Sequence, residues 1–528
     1  MGAAKHGSLC AVCAGYAYNN RVIINACLFK YSLCCVSRLL FGLSHGKSSA
    51  SLFSLVNFVT ISFVLFFLPA LCIGWGLRAN HRAYKWFLLL VNLLFYWLAG
   101  GPYIIMLLIV ALLNWGCVRL MERRRRGVRL ALVSTTVGVH VLFLAFFKYY
   151  ETLATWLCEQ IGAGGEWLLS STLTSLVMPI GLSFYTFQGL SYTIDHYRED
   201  GLAPRSFSDV LAFLSFFPTV MSGPIMREDN FFPQLRTSYA GEEDFAEGIT
   251  LILSGLFKKV VMATYLQEHL VDAVFRNPGS YSSWGVLVGI YAYTIQIYCD
   301  FSGYTDMALG IGRLMGFHLP KNFDSPYRSL NLQEFWHRWH ISLSTWLRDY
   351  LYISMGGSRR GNRYVNLIVT MLIGGLWHGS SLSFAIWGLL HGIGLAVVHA
   401  FHRVCKNLRW ALPRWVAAPG KLLAWLLTLH FVAAMWVFFR ADTYGGAIEV
   451  FRRLFACVDE GYSYPLLALV IITWGLLLQL CGPPLCRFVA RVLGALPWPV
   501  QALLAGLCAS LILNMGPEGT LRFIYTHF

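Results

Sequence analysis

Long, unbroken apolar runs constrain this chain more than any other feature. A bilayer core of about 30 Å is crossed by a helix of about 20 apolar residues. Runs of that length recur almost to the end of the 528-residue sequence. They begin near Phe53, Trp86, Tyr103, Val128, Trp167, Val210, Ile249, Trp284, Tyr364, Ser381, Leu422, Pro465 and Val500. With some of them re-entrant, the sequence predicts roughly ten to thirteen membrane segments. The strands of a transmembrane barrel would alternate apolar and polar residues. These runs are continuously apolar, so the fold class expected is all-α and polytopic. Composition agrees: 57% of the residues are hydrophobic and 13% charged, against about 25% charged in a soluble domain. Mean hydropathy is +0.57.

The formal net charge is +15. Positive residues gather in short loops, at Arg123 to Arg126, Arg359 to Arg363, Arg403 to Lys406 and Arg452-Arg453. Loops of that kind follow the positive-inside rule and mark the cytoplasmic side. Nucleic-acid binding would need a soluble basic face, and none is visible. Arg359, Arg360 and Arg363 are the exception: they lie between two histidine motifs, in a place to hold an anionic donor.

No fixed-period repeat or low-complexity linker divides the membrane runs. Residues 51–528 are therefore expected to form one transmembrane domain, preceded by an N-terminal extension, 1–50, of unlike composition. Five of the 14 cysteines fall in its first 35 residues. Cys10 and Cys13 have no second ligand pair at zinc spacing, so no metal site is expected. The extension lacks a secretory-signal pattern. His6 stands where a myristoylation motif needs Ser or Thr. No catalytic role is expected for it.

The chemistry points to two histidines. His378 sits inside an apolar run, in Gly374-Gly375-Leu376-Trp377-His378-Gly379. An ionisable residue at membrane depth marks a functional site, and the flanking glycines weaken helix and allow close approach. The run from Tyr364 to His399 would measure about 54 Å as one helix, so it must break. The break is expected at Gly374-Gly375 and His378-Gly379. His340 lies in Phe335-Trp336-His337-Arg338-Trp339-His340-Ile341-Ser342. The segment from Glu334 to Asp349 reads as one amphipathic helix carrying Trp336, Trp339, Leu343 and Trp346 on a face. Spacing alone would let His337 and His340 share a site. Asp300 and Asp306, in the polar stretch Tyr291 to Asp306, are expected either to orient a histidine or to pair with an arginine.

Taken in order, these blocks resemble the membrane-bound O-acyltransferases, and among them the bacterial alginate O-acetylase branch. The resemblance runs from about Leu52 to the C-terminus. It rests on Met178-Pro179-Ile180-Gly181-Leu182-Ser183-Phe184-Tyr185-Thr186-Phe187-Gln188, Phe217-Pro218 with Ser222-Gly223-Pro224-Ile225, Leu256-Phe257-Lys258-Lys259-Val260, and Asp300 through Ala308. The most specific block extends from Phe335 through Trp339-His340-Ile341-Ser342 to Tyr352 and Gly356-Gly357. Gly375-Leu376-Trp377-His378-Gly379 closes the set. The resemblance implies a multi-pass inner-membrane enzyme that moves an acyl group to a hydroxyl. The family's principal histidine falls on His378 and its second motif histidine on His340. His337 stands where an arginine is expected in this branch and carries no role.

On that reading His378 is the general base that takes the hydroxyl proton, and His340 binds the donor or relays the proton. Trp377 and Trp339 wall the site against water. No bound cofactor is expected, only acetyl-CoA or another acyl thioester as donor substrate. The acceptor is a polysaccharide such as alginate, reached directly or through a periplasmic acetyltransferase. Acetylation of cellulose or peptidoglycan, and D-alanyl transfer to teichoic acid, differ in acceptor or donor. A secondary transporter would show related halves, and none are found.

Overall fold

A computed structural model describes residues 57–161, 178–199, 202–237, 241–407, 414–462 and 464–516. The N-terminal extension and the apolar run near Trp167 lie outside the described residues. The chain divides into two units, Met1–Gly101 and Pro102–Phe528. In the first, helices α1 (Ile61–Leu77) and α2 (His81–Gly100) are started by side-chain caps. Thr60 Oγ1 accepts from the Phe63 amide at 3.3 Å, and Asn80 Oδ1 from the Ala83 amide at 3.2 Å. Such caps satisfy amides that the first helical turn leaves without partners.

The second unit carries α3 (Ile104–Met121), α4 (Arg126–Ile161), α5 (Leu182–Arg198), α6 (Glu242–Leu256), α7 (Ser283–Leu314), α8 (Leu332–Arg338) and α9 (Ile341–Trp346). It continues through α10 (Arg363–His378), α11 (Leu382–Asn407), α12 (Arg414–Arg440), α13 (Tyr444–Phe455), α14 (Leu466–Gly494) and α15 (Trp498–Asn514). Further helical segments lie between them. The only β feature among the described residues is one isolated bridge, Tyr281 to Tyr462. Six helical stretches are long and apolar enough to cross a membrane: His81–Met121, Arg126–Ile161, Glu243–Arg276, Leu382–Asn407, Ala418–Arg440 and Leu466–Gly494. The first is interrupted by a 3-10 turn at Gly101–Tyr103. Ile61–Leu77 and Trp498–Asn514 are shorter apolar helices. The all-α polytopic class follows directly.

The polar stretch Tyr291 to Asp306 lies inside a continuous helix; α7 runs through it for 32 residues. Its partner is α6 and the π-helical turn that follows, Phe257–Ala263. Glycines set the approach. A Cβ on Gly248 would lie 3.0 Å from the Gly310 carbonyl, and one on Gly303 would lie 2.8 Å from the Gly255 carbonyl. Small residues at such a crossing let two membrane helices touch backbone to backbone. Just beyond it, Lys258 Nζ meets Asp306 Oδ2 at 2.5 Å and Ser302 Oγ at 3.2 Å. Lys259 Nζ pairs with Asp300 Oδ1. Both aspartates thus pair with lysines, where an arginine or a histidine was expected. The pairs join α7 to the turn after α6.

The long run from Tyr364 breaks at one of the two expected places, His378-Gly379, and not at the other. α10 passes through Gly374-Gly375 without a break and ends at His378; α11 starts at Leu382. Gly375 is a packing residue. A Cβ there would collide with the Phe384 carbonyl and the Gly388 backbone of α11.

Candidate active site

His378 is the last residue of α10, and the chain then leaves the helix at an extended Gly379. Helix ends leave carbonyls without intrahelical donors. Here α4 supplies the donors. Lys148 Nζ donates to the Trp377 carbonyl and, at 3.5 Å, to that of His378. Tyr149 Oη donates to the Leu376 carbonyl at 2.5 Å, and Thr152 Oγ1 to Ser380 Oγ at 2.9 Å. A cation is the fitting cap for a helix C-terminus, where the helix dipole is negative. The His378 ring is buried in aromatic neighbours: Trp377 at 4.7 Å, Phe439 at 4.9 Å and Trp387 at 5.2 Å between centroids.

His340 is held by another device. The helix expected over Glu334 to Asp349 is broken at Trp339-His340. α8 ends at Arg338, and His340 takes a left-handed backbone, φ 44° and ψ 53°, before α9. A non-glycine residue there is strained and needs support from its surroundings. Asn322 gives it. Its carbonyl accepts from the Ile341 amide at 2.9 Å. Its Oδ1 receives the Ser342 amide at 3.1 Å, Ser342 Oγ at 2.9 Å and His340 Nδ1 at 3.1 Å. A backbone amide can only donate, so the Asn322 atom is the oxygen, and His340 Nδ1 must carry the hydrogen. In the neutral ring the lone pair is then on Nε2. That atom is buried with no hydrogen-bond partner among the described residues.

The break also separates the two motif histidines. His337 is exposed on α8, whereas His340 is buried. The shared site that spacing allowed for them does not form. One row of rings links His340 to His378: His378 packs on Trp387, Trp387 on Trp436, and Trp436 on Trp339, the residue before His340. Trp339 and Trp377 stand on different sides. Trp339 packs on Trp436 at 4.9 Å, which stacks on Trp387 at 5.9 Å behind His378. Trp377 faces Phe187 of α5 at 5.4 Å and Phe184 at 6.3 Å. On the same helix, Gln188 has both amide atoms buried without partners among the described residues, as has the Ser183 hydroxyl. Buried polar groups of that kind are rare and call for an explanation, such as a catalytic role or an ordered water.

Asp300 and Asp306 stay in their lysine pairs, although Phe301, between them, meets the His340 ring edge-on at 4.7 Å. Arg359 and Arg360 are exposed, and Arg363 opens α10, its Nη2 donating to His399 Nδ1 at 2.9 Å. Fifteen residues of helix separate Arg363 from His378, about 22 Å along the axis. The basic loop is therefore remote from His378. Three residues of the site were not singled out from sequence. Asn322 and Lys148 are two. The third is His391 of α11, buried between Trp336 and Trp387, whose Nδ1 accepts from Trp336 Nε1 at 3.3 Å. Its placement four residues after Trp387, in an apolar run, was the available signal. No group of three or more His, Cys, Asp or Glu side chains placed to hold a metal occurs among the described residues.

Comparison with known proteins gives the family. The model of the membrane-bound O-acyltransferase family matches residues 135–438. The chain is 39% identical over 402 residues to a probable alginate O-acetylase of Pseudomonas aeruginosa, covering 75% of this chain and 74% of that protein. It is 34% identical over 432 residues to a peptidoglycan O-acetyltransferase of Helicobacter pylori, covering 75% and 79%. To a teichoic acid D-alanyltransferase of Bacillus subtilis it is 30% identical over 278 residues, covering 49% and 67%. Both histidine motifs fall inside the matched region, and the chain belongs to the membrane-bound O-acyltransferase family as a multi-pass membrane O-acyltransferase.

Proposed function

We propose that this enzyme moves acetyl groups from a cytoplasmic acyl thioester, acetyl-CoA, to hydroxyls of an exported polysaccharide such as alginate, directly or through a periplasmic acetyltransferase, in the cytoplasmic membrane. The observation that carries the reading is the burial of both His340 and His378, linked by the packed rings of Trp339, Trp436 and Trp387. His378 takes the proton of the attacking hydroxyl, whose oxygen bonds to the thioester carbonyl carbon. The C–S bond then breaks, and the imidazolium returns the proton to the departing thiolate. His340, with Nδ1–H committed to Asn322, presents an Nε2 lone pair that accepts a hydrogen bond from donor or acceptor. Trp377 and Trp339 keep water from the thioester. Arg359, Arg360 and Arg363 act at a distance, drawing the polyanionic donor to the basic face by long-range attraction.

The test is transfer of labelled acetyl from acetyl-CoA to alginate by the purified full chain in lipid vesicles. Thiol release that rises with added polysaccharide is expected. No release above empty vesicles, with or without a periplasmic acetyltransferase fraction, would remove the reading. A second expectation concerns Asn322. Asn322→Leu removes the acceptor that fixes the His340 ring and is expected to lower kcat about tenfold to a hundredfold. Asn322→Asp keeps an acceptor oxygen in place and should retain most of the activity. Equal losses in both variants would mean that the residue serves packing alone.

A further inference from the structure

A cavity of about 540 Å³ opens at the far end of α5. Its walls come from the end of α3 and the following turn, the start of α4, and the end of α5. Arg119, Arg123, Arg124 and Arg129 line it, with His196 and Glu199. The volume falls within the range of small-molecule sites. Arg129 builds the wall: its Nη2 donates to the His196 carbonyl at 2.8 Å and to that of Tyr197 at 3.0 Å. Arg119 is neutralised in part by Glu122 at 3.1 Å. The side chains of Arg123 and Arg124 form no ion pair among the described residues. Arg123 has φ 55°, a conformation that a non-glycine residue rarely adopts. Glu228, behind His196, is pushed up to about 7 by burial and so carries only part of a charge. Positive charge dominates the cavity, and guanidinium groups are suited to phosphate oxygens.

α5 joins this cavity to the candidate active site. Phe187 of α5 lies against Trp377, next to His378. His196, nine residues further along the helix, lines the cavity, about 14 Å away. That separation suits a thioester whose acyl end is carried on a flexible arm and whose other end bears phosphates. Arg198, at the last turn of α5, donates to Ser354 Oγ at 2.9 Å, just before the basic loop Ser358 to Arg363. The cavity and that loop therefore share one end of the molecule.

We infer that the cavity binds the phosphate-bearing handle of the acyl donor, a nucleotide-type thioester whose acyl arm follows α5 to His378. The inference rests on the thioester reading above. The chemistry recognised is a cluster of phosphate oxygens, which an anionic lipid headgroup also offers. The test is Arg123→Gln/Arg124→Gln in the full-length protein, in vesicles with and without anionic lipid. The apparent KM for acetyl-CoA should rise about tenfold or more, with kcat near that of the parent. Turnover of acetyl-N-acetylcysteamine, which has no phosphate, should not change, and Arg123→Lys/Arg124→Lys should restore much of the donor affinity. An unchanged KM for acetyl-CoA would overturn the inference, as would equal losses with both thioesters. A change confined to anionic-lipid binding would assign the cavity to a headgroup and overturn it also. If the parent turns over no thioester, the functional reading fails separately. The site is then judged by equilibrium binding of adenosine 3′,5′-bisphosphate, which the double variant should weaken about tenfold; equal binding would overturn the site. If the double variant does not accumulate, competition between the bisphosphate and acetyl-CoA in the parent decides in the same way.

Discussion

Replacing His378 by alanine is expected to lower acyl transfer about a hundredfold to ten-thousandfold, the usual contribution of a general base. The protein should still insert and accumulate. α10 is held at its end by Lys148 and Tyr149 acting on backbone carbonyls, and that support does not involve the imidazole. Its packing against α11 is set by Gly375 and Gly388. The ring does fill space between Phe439 and Trp387, so His378→Gln is the control that keeps more of the volume. Initial rates at saturating donor, normalised to folded protein, decide. Near-normal transfer by either variant would take His378 out of the mechanism.

The second large effect is on stability. Lys259→Met leaves Asp300 buried without its lysine: the side chains are 2% and 8% exposed in the pair. Breaking one side of a buried pair costs about 3–5 kcal/mol. Folded protein recovered in detergent should fall steeply. Lys259→Met/Asp300→Leu removes both charges and should recover most of the loss, since a buried pair and a well-packed apolar pair differ far less. Lys258→Met should be milder, because Asp306 is 24% exposed and can be hydrated. Thermal unfolding of the two single variants and the double variant provides the comparison. A double variant as unstable as Lys259→Met would show that the pair matters for something other than charge balance.

The membrane class was legible because continuous apolar length is a local property, and lipid permits few other folds. His378 and His340 stood out as candidates because each carries its own short motif, and the structure buries both. What failed depended on partners distant in sequence. Gly374-Gly375 looked like a breaker, but a glycine in a helix also serves close packing, and α11 uses it that way. The segment around Trp339 kept helical spacing through a break that Asn322, eighteen residues earlier, supports. Lys148 lies 230 residues before His378, in a helix whose sequence gives no sign of a cap for α10. Asp300 and Asp306 were recognised as needing partners. Both were found in Lys258-Lys259, a motif already noted but not connected to them.

The lysine–aspartate pairs also bear on how the chain enters the bilayer. α7 is not among the helices apolar enough to cross alone, and its two carboxylates explain much of that. On insertion scales an acidic residue at the centre of a span costs about 2.5–3.5 kcal/mol. During synthesis Lys258 and Lys259 emerge before Asp300 and Asp306. Long lysine side chains can wait with their ammonium groups at the interface, whereas the shorter aspartates have no such reach. The physical consequence is that α6 must remain close to the insertion machinery until α7 arrives, so that the two helices partition into lipid as a neutralised hairpin.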